Sequence, residues 1–80
     1  MNILTLKEVN DEQIIYEYLP EGKGTPGVIV FDKKTNEADV SILASNDAGY
    51  GKYAMHACTK VEEYVLERDE LPERGIQAWY

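Results

Sequence analysis

One stretch near the end of the chain repeats apolar side chains at the spacing of an α-helix, and this repeat restricts the possible folds most. The positions recur at intervals of three and four: Tyr50, Tyr53, Ala54, Ala57, Cys58, Val61, Tyr64 and Val65. Candidate N-cap side chains occupy positions 45–47 (Ser, Asn, Asp). Pro72 favours a helix end near Arg68. The pattern therefore predicts one long amphipathic helix.

The residues before this helix follow patterns typical of β-strands. The run from Val28 to Phe31 consists of four β-forming residues, which indicates a central strand covered on both faces. An earlier run over residues 13–19 is rich in isoleucine and tyrosine and is expected to end at Pro20. Residues 3–9 form a first element that is too short for its type to follow from periodicity.

The central strand and the run after it predict a β-hairpin. Residues 38–44 alternate in polarity, so Val40 and Ile42 are expected on one face of the sheet. The polar residues 33–36 between the two runs are expected to form a four-residue turn. A short β-like segment, 76–80, closes the sequence.

Together these patterns predict a single α+β domain over residues 1–80, in the order β-β-β-β-α-β with the first strand left open. Consecutive strands joined by short turns form an antiparallel meander of three to four strands. The helix must lie across one face of this sheet to bury its apolar side, and a short C-terminal strand follows it. Cys58 is the only cysteine, so no intrachain disulfide can form, as is typical of a reducing compartment.

A single helix covers only one face of such a sheet, and the opposite face must meet solvent or another molecule. Alternation in the second run separates two sets of side chains, either of which could face the helix. The sets are Ile14, Tyr16 and Tyr18 on one side and Ile15, Glu17 and Leu19 on the other. Whichever set is uncovered contains apolar or aromatic groups, and an exposed apolar patch of more than a few hundred Å² usually marks a contact surface.

The charge of the chain argues against nucleic acid as a partner. Eight Lys/Arg against fifteen Asp/Glu give a net charge of −7, which repels phosphate backbones. The acidic segment 62–73 is expected to be a solvated helix end, and the alternative is an acidic patch for a basic partner or a mimic of nucleic acid. No apolar run approaches the roughly 20 residues of a membrane span, and the first residues lack secretory-signal features. We therefore expect a cytoplasmic protein without a membrane partner.

Motifs of known chemistry are weak in this sequence. His56 and Cys58 are two residues apart on the helix and point about 200° away from each other, so they cannot act as a catalytic pair. The loop 22–27 contains Gly-Lys-Gly but lacks a phosphate-loop pattern and leads into a strand. No EF-hand, His-Glu-x-x-His or Cys-x-x-Cys pattern is present. The sequence thus predicts no catalytic, cofactor-binding or metal-binding residue.

Two segments carry a resemblance to a known group of proteins. Residues 16–27 read YEYLPEGKGTPG, and the chain closes on Gly75 and Ile-Gln-Ala-Trp-Tyr. These segments resemble a family of short bacterial cytosolic proteins that share a YxYxPEGKGxPG-like segment and a C-terminal Ala-Trp-Tyr. The family has no known activity, so the resemblance implies a small bacterial cytosolic protein and transfers no functional residue.

The uncovered sheet face leads to the functional hypothesis. We predict a small non-catalytic interaction module that acts as a homodimer or as a subunit of a complex. Tyrosine and tryptophan are enriched at binding hot spots. The predicted partner-binding residues are Tyr16, Tyr18, Trp79 and Tyr80. The alternative is a small-molecule binding or catalytic domain, with a pocket between helix and sheet or at a subunit interface, to which Tyr53, His56 and the loop 22–27 contribute.

Overall fold

A computed structural model describes residues 1–47 and 51–78. The elements follow the predicted α+β order β-β-β-β-α-β, and the first element is a full strand. They are β1 (Asn2–Val9), β2 (Gln13–Pro20), β3 (Gly27–Asp32), β4 (Glu37–Ile42), α1 (Lys52–Glu62, continued by a π-helical segment Glu63–Arg68) and β5 (Arg74–Gln77). Within the described ranges, no helix is long and apolar enough to cross a membrane.

The five strands form one antiparallel sheet in the order β4-β3-β2-β1-β5. The first four strands form the predicted meander, and β5 returns to the outer side of β1. β1 is therefore an internal strand: Ile3 lies opposite Leu19 of β2 and opposite Ile76 of β5. Because these pairings are distant in sequence, periodicity over residues 3–9 could not establish that the element is a strand.

The β3–β4 hairpin has the predicted four-residue turn, and Asp32 holds it in place. The backbone N–H of Asn36 donates to the Asp32 carbonyl at 2.8 Å, and the N–H of Lys34 donates to its carboxylate at 2.8 Å. Asn36 has a φ of 60°, a left-handed conformation that asparagine tolerates better than most residues.

A β-bulge in β4 overturns one prediction about this hairpin. Val40 lies opposite Ile29, whereas Ile42 lies opposite Val28, so Ser41 is an extra residue in the ladder. The prediction that Val40 and Ile42 share a face was therefore wrong. Val40 lies on the helix side of the sheet, and Ile42 lies on the side away from the helix.

The helix packs on one face of the sheet and buries the predicted stripe. The core contains Leu4, Ile14, Tyr16, Tyr18, Ile29, Phe31, Ala38 and Ala44 with Ala54, Ala57, Val61 and Tyr64 of the helix. Polar bonds add to this contact: the Asn2 side-chain amide donates to the Tyr53 carbonyl at 2.9 Å, and Gln77 donates to the His56 carbonyl at 2.8 Å. Tyr50, which we placed in the stripe, lies outside the described residues.

The last part of the helix changes its winding, which periodicity did not predict. Residues Glu63–Arg68 are π-helical, and the N–H of Glu70 donates to the Tyr64 carbonyl at 3.0 Å. Asp69 follows with a φ of 52°. The helix thus ends at Arg68, as the position of Pro72 predicts.

Candidate functional site

The face of the sheet away from the helix, which we call the open face, carries seven aliphatic side chains. Alternation along the strands and the strand registers place them together. They are the half-buried Ile3, Ile15, Leu19, Val28 and Val30 and the exposed Ile42 and Ile76. Within residues 1–47 and 51–78, no helix or strand packs over this face.

The registers bring aliphatic side chains of neighbouring strands together on the open face. Ile3 lies between Leu19 and Ile76, and Val30 lies opposite Ile15. Such cross-strand neighbours have Cβ atoms about 5 Å apart, close enough for branched side chains to touch. The result is two apolar groups, separated on β1 and β2 by Thr5 and Glu17: one contains Ile3, Leu19 and Ile76, and the other contains Ile15, Val28, Val30 and Ile42.

One lateral row of the open face is polar. Glu17 of β2 lies opposite Thr5 of β1, which in turn lies opposite Arg74 of β5. Among the described residues, Glu17 and Arg74 form neither an ion pair nor a side-chain hydrogen bond. An acid and a base thus stand on either side of β1, and both are available to a docked molecule.

Tyr16 and Tyr18 lie on the opposite side of the sheet from this surface. Both are 0% exposed beneath the helix, so a partner docked on the open face cannot reach them. This corrects the expectation that the two rings line a contact surface: the helix covers the face that they share with Ile14. The other two predicted residues, Trp79 and Tyr80, lie outside the described residues.

Both buried tyrosine hydroxyls serve the fold. The Tyr16 hydroxyl donates to the Pro72 carbonyl at 2.7 Å, and the Tyr18 hydroxyl donates to the Asp47 carboxylate at 2.7 Å. Burial is the main reason that the pKa of each tyrosine is raised to about 12. Both are therefore neutral phenols at physiological pH.

Asp47 supports the start of the helix from outside it. Its carboxylate accepts hydrogen bonds from the N–H groups of Tyr53 at 3.1 Å and Ala54 at 2.9 Å. These are two of the unpaired donors that every helix N-terminus presents. Gly51, which occupies the N-cap position itself, has no side chain to do this. Of the three candidates at positions 45–47, Asp47 is the one that caps these donors.

A second surface feature is an open groove between α1 and β4. It has a volume of about 410 Å³. Its lining residues are Ala38, Asp39 and Val40 from β4 and Gly51, Ala54, Met55, Cys58 and Thr59 from the start of the helix and its outer flank. Tyr53, His56 and the loop 22–27, which we expected to contribute to a pocket, do not line it. Tyr53 instead donates its hydroxyl to Glu21 at 3.0 Å.

The chemistry of the groove does not favour a nucleophile. Burial, together with the nearby carboxylates of Asp39 and Glu62, raises the pKa of the Cys58 thiol to about 11. The thiol is therefore protonated at neutral pH, whereas nucleophilic cysteines are thiolates. In the described part of the chain, no cluster of three or more His, Cys, Asp or Glu side chains could hold a metal ion.

The chain matches no family model, no curated protein and no solved structure. The two surfaces themselves must therefore indicate what the protein binds. The sequence predicted that one sheet face would be uncovered and, as the alternative, a pocket between helix and sheet, but it did not identify the residues that line this groove. The small residues Gly51 and Ala54 beside an edge strand were the only signal for it.

Proposed function

We propose that this protein is a small non-catalytic interaction module that binds a protein partner through its open face, as a homodimer or as a subunit of a complex. The observation that carries the proposal is the absence of a covering element, in the described residues, over the seven aliphatic side chains of a five-stranded sheet. Covering apolar surface is favourable by about 25 cal/mol per Å². A partner that covers this face gains that free energy.

The dimensions of the open face set the expected strength of binding. Five strands spaced about 4.8 Å apart, four of them six to eight residues long and β5 four residues long, span roughly 20 by 20 Å, or about 400 Å² in projection. Stable interfaces bury about 800 Å² of accessible surface per partner. The open face alone therefore supports a weak, concentration-dependent contact, and a tight complex would recruit further surface.

The polar row supports a homodimer as one form of this contact. Rotating a second copy by 180° about an axis along β1 places β2 of one copy over β5 of the other. Glu17 then faces Arg74 of the second copy, twice per dimer, and Leu19 faces Ile76 in the same way. Such a self-complementary patch is what a twofold interface requires.

A photo-crosslinking experiment in cells that produce the protein tests the proposal directly. A benzophenone amino acid replaces Val30 on the open face or, as a control, Leu66, which is 53% exposed on the helix. We expect a discrete crosslinked species from position 30 only. A product of twice the chain mass indicates a homodimer, and a product of another mass indicates a heteromeric complex. Equal crosslinking from both positions, or none from position 30, overturns the proposal.

Surface variants of matched exposure provide the second measurement. Ile42→Lys and Ile76→Lys place a charge on the open face at residues that are 57% and 60% exposed, and Leu66→Lys provides the control. We expect the two open-face variants to weaken the crosslink at least fivefold and the control to leave it unchanged. All three should keep the melting temperature of the parent, because exposed substitutions rarely alter stability.

The groove keeps the small-molecule alternative open as a second candidate. Its volume falls in the range of ligand pockets, about 300–1,000 Å³. Ligand binding would raise the melting temperature in proportion to the logarithm of ligand concentration. A small-molecule library that produces no such shift would remove this alternative.

A further inference from the structure

We infer that the groove between α1 and β4 binds an extended peptide segment, which adds to β4 as a sixth strand and carries small aliphatic and basic side chains. This site is separate from the open face. It lies at the edge of the sheet and on the helix side, and it does not depend on the function proposed above.

The edge of β4 determines that the ligand is an extended chain. β4 pairs with β3 alone, so its other side is an unpaired strand edge. There the backbone N–H of Ala38 donates at 2.8 Å to the side chain of Glu62, which takes the place of a strand carbonyl. Alternate residues direct their backbone groups to the same edge, so Val40 presents its N–H and C=O there as well. A row of such groups is a template for strand addition.

The groove determines which side chains the ligand carries. An added strand directs alternate side chains to the helix side of the sheet, which is where the groove lies. Val40 is 40% exposed and Met55 is 70% exposed, and the small residues Gly51 and Ala54 leave the space between them open. This apolar lining suits valine or alanine side chains.

The charge around the groove favours a basic ligand. Asp39 is a lining residue that pairs with Val30, so its side chain lies on the side of β4 away from the helix, where alternate side chains of an added strand also fall. Glu62 stands at the edge of the groove on the helix side, and both carboxylates raise the pKa of Cys58. The described lining contains no lysine or arginine. A second copy of β4 would be a poor ligand, because antiparallel pairing about Asp39 sets two aspartates opposite each other, and like charges directly opposite are destabilising.

Titration of the purified protein with two synthetic peptides tests the inference. The probe is a peptide of alternating valine and lysine, followed by two-dimensional NMR of the protein amides. The control peptide has the same sequence with N-methylated valines, which removes the N–H groups needed for strand pairing. We expect shifts at Val40, Met55 and Cys58 with the probe, and binding at least tenfold weaker for the control peptide.

Variants of the protein separate backbone pairing from charge. Val40→Pro removes the edge N–H and should weaken binding at least tenfold, while Val40→Ile keeps both that N–H and an apolar side chain and should weaken binding far less. Glu62→Gln keeps an acceptor for Ala38 but removes a charge. It should weaken binding of the lysine peptide severalfold at low salt and leave the melting temperature unchanged.

Three results of the titration would overturn the inference. They are no amide shifts at millimolar peptide, shifts confined to the open face, and equal binding of the probe and the N-methylated peptide. If Val40→Pro fails to fold, the comparison of the two peptides on the parent protein still decides the matter. Because Ile76→Lys alters the open face alone, it should leave peptide binding intact. This separates the groove from the proposed contact surface.

Discussion

The hydroxyl of Tyr18 donates a 2.7 Å hydrogen bond to the carboxylate of Asp47, and this buried bond ties the middle of the sheet to the start of the helix. The same hydroxyl accepts the N–H of Ala44 at 2.9 Å, and Asp47 also accepts the N–H groups of Tyr53 and Ala54. The Tyr18 hydroxyl and the Asp47 carboxylate thus each take part in more than one hydrogen bond. Removing one side chain leaves several buried groups unpaired.

A double-mutant cycle should show strong coupling between these two residues. Asp47→Ala loses three hydrogen bonds and should lower the free energy of unfolding by about 2–4 kcal/mol. Tyr18→Phe should lower it by about 1–2 kcal/mol. The double mutant should cost at least about 0.5 kcal/mol less than the sum of the single mutants. Urea denaturation measures all three values.

The control for this cycle is Asp11→Asn, which changes an exposed carboxylate in the β1–β2 turn. It should alter the free energy of unfolding by less than about 0.5 kcal/mol. Strict additivity of Asp47→Ala and Tyr18→Phe would contradict the shared bond.

Gly75 and Tyr64 should show a compensating pair of substitutions. A Cβ atom at Gly75 would collide with the hydroxyl of Tyr64, while the nearest ring carbon stays at an ordinary 3.4 Å. Gly75→Ala should therefore lower the free energy of unfolding by about 1–3 kcal/mol in the parent protein. In a Tyr64→Phe background the same change should cost less than about 0.5 kcal/mol, because the obstructing oxygen is gone. Thermal unfolding of the four proteins tests this.

Gly27→Ala is the matched control for that rescue. A Cβ atom there would collide with the Tyr18 ring and would lie 2.5 Å from the Ile42 carbonyl oxygen and 2.6 Å from the Ala44 nitrogen. Backbone atoms cannot be removed by mutation. Gly27→Ala should therefore stay about 3 kcal/mol destabilising in every background. An equal cost of Gly75→Ala with and without the Tyr64 hydroxyl would contradict the predicted contact.

The reactivity of Cys58 should report its raised pKa. Burial and two nearby carboxylates raise this pKa from 9.0 to about 11. Because alkylation proceeds through the thiolate, iodoacetamide at pH 8 should react about 100-fold more slowly with the folded than with the unfolded protein. The rate should keep rising toward pH 11. Between pH 9 and 11 the folded state holds its proton more tightly, so the free energy of unfolding should fall as pH rises.

Removing the charge of Asp39 should speed the alkylation of Cys58 in the folded protein. Asp39→Asn removes a carboxylate that raises the pKa of Cys58, so the folded protein should react faster at pH 8. Asp11→Asn again provides the control and should have no effect. A rate that levels off near pH 9 in the folded parent would contradict the raised pKa.

The fold was largely predictable because its determinants are local. The three- and four-residue spacing from Tyr53 to Val65 indicated the helix, and the polar residues 33–36 indicated the hairpin turn. The functional surfaces were less predictable. Tyr16 and Tyr18 were assigned to the contact face, although their face is the one that the helix covers. The bulge at Ser41, which moves Ile42 to the open face, has no clear signal in the alternating residues 38–44.

The sequence by itself determined the helix, the strands after the first and the shortage of covering elements, since these follow from side-chain periodicity and from having one helix for four or five strands. Only the tertiary structure decided which sheet face is uncovered, where β4 slips by one residue, and that a groove opens beside it. The alternation of side chains assigns the residues of a strand to two faces but does not show which face is buried. The buried face is the one that packs against the helix, and that contact joins residues distant in sequence.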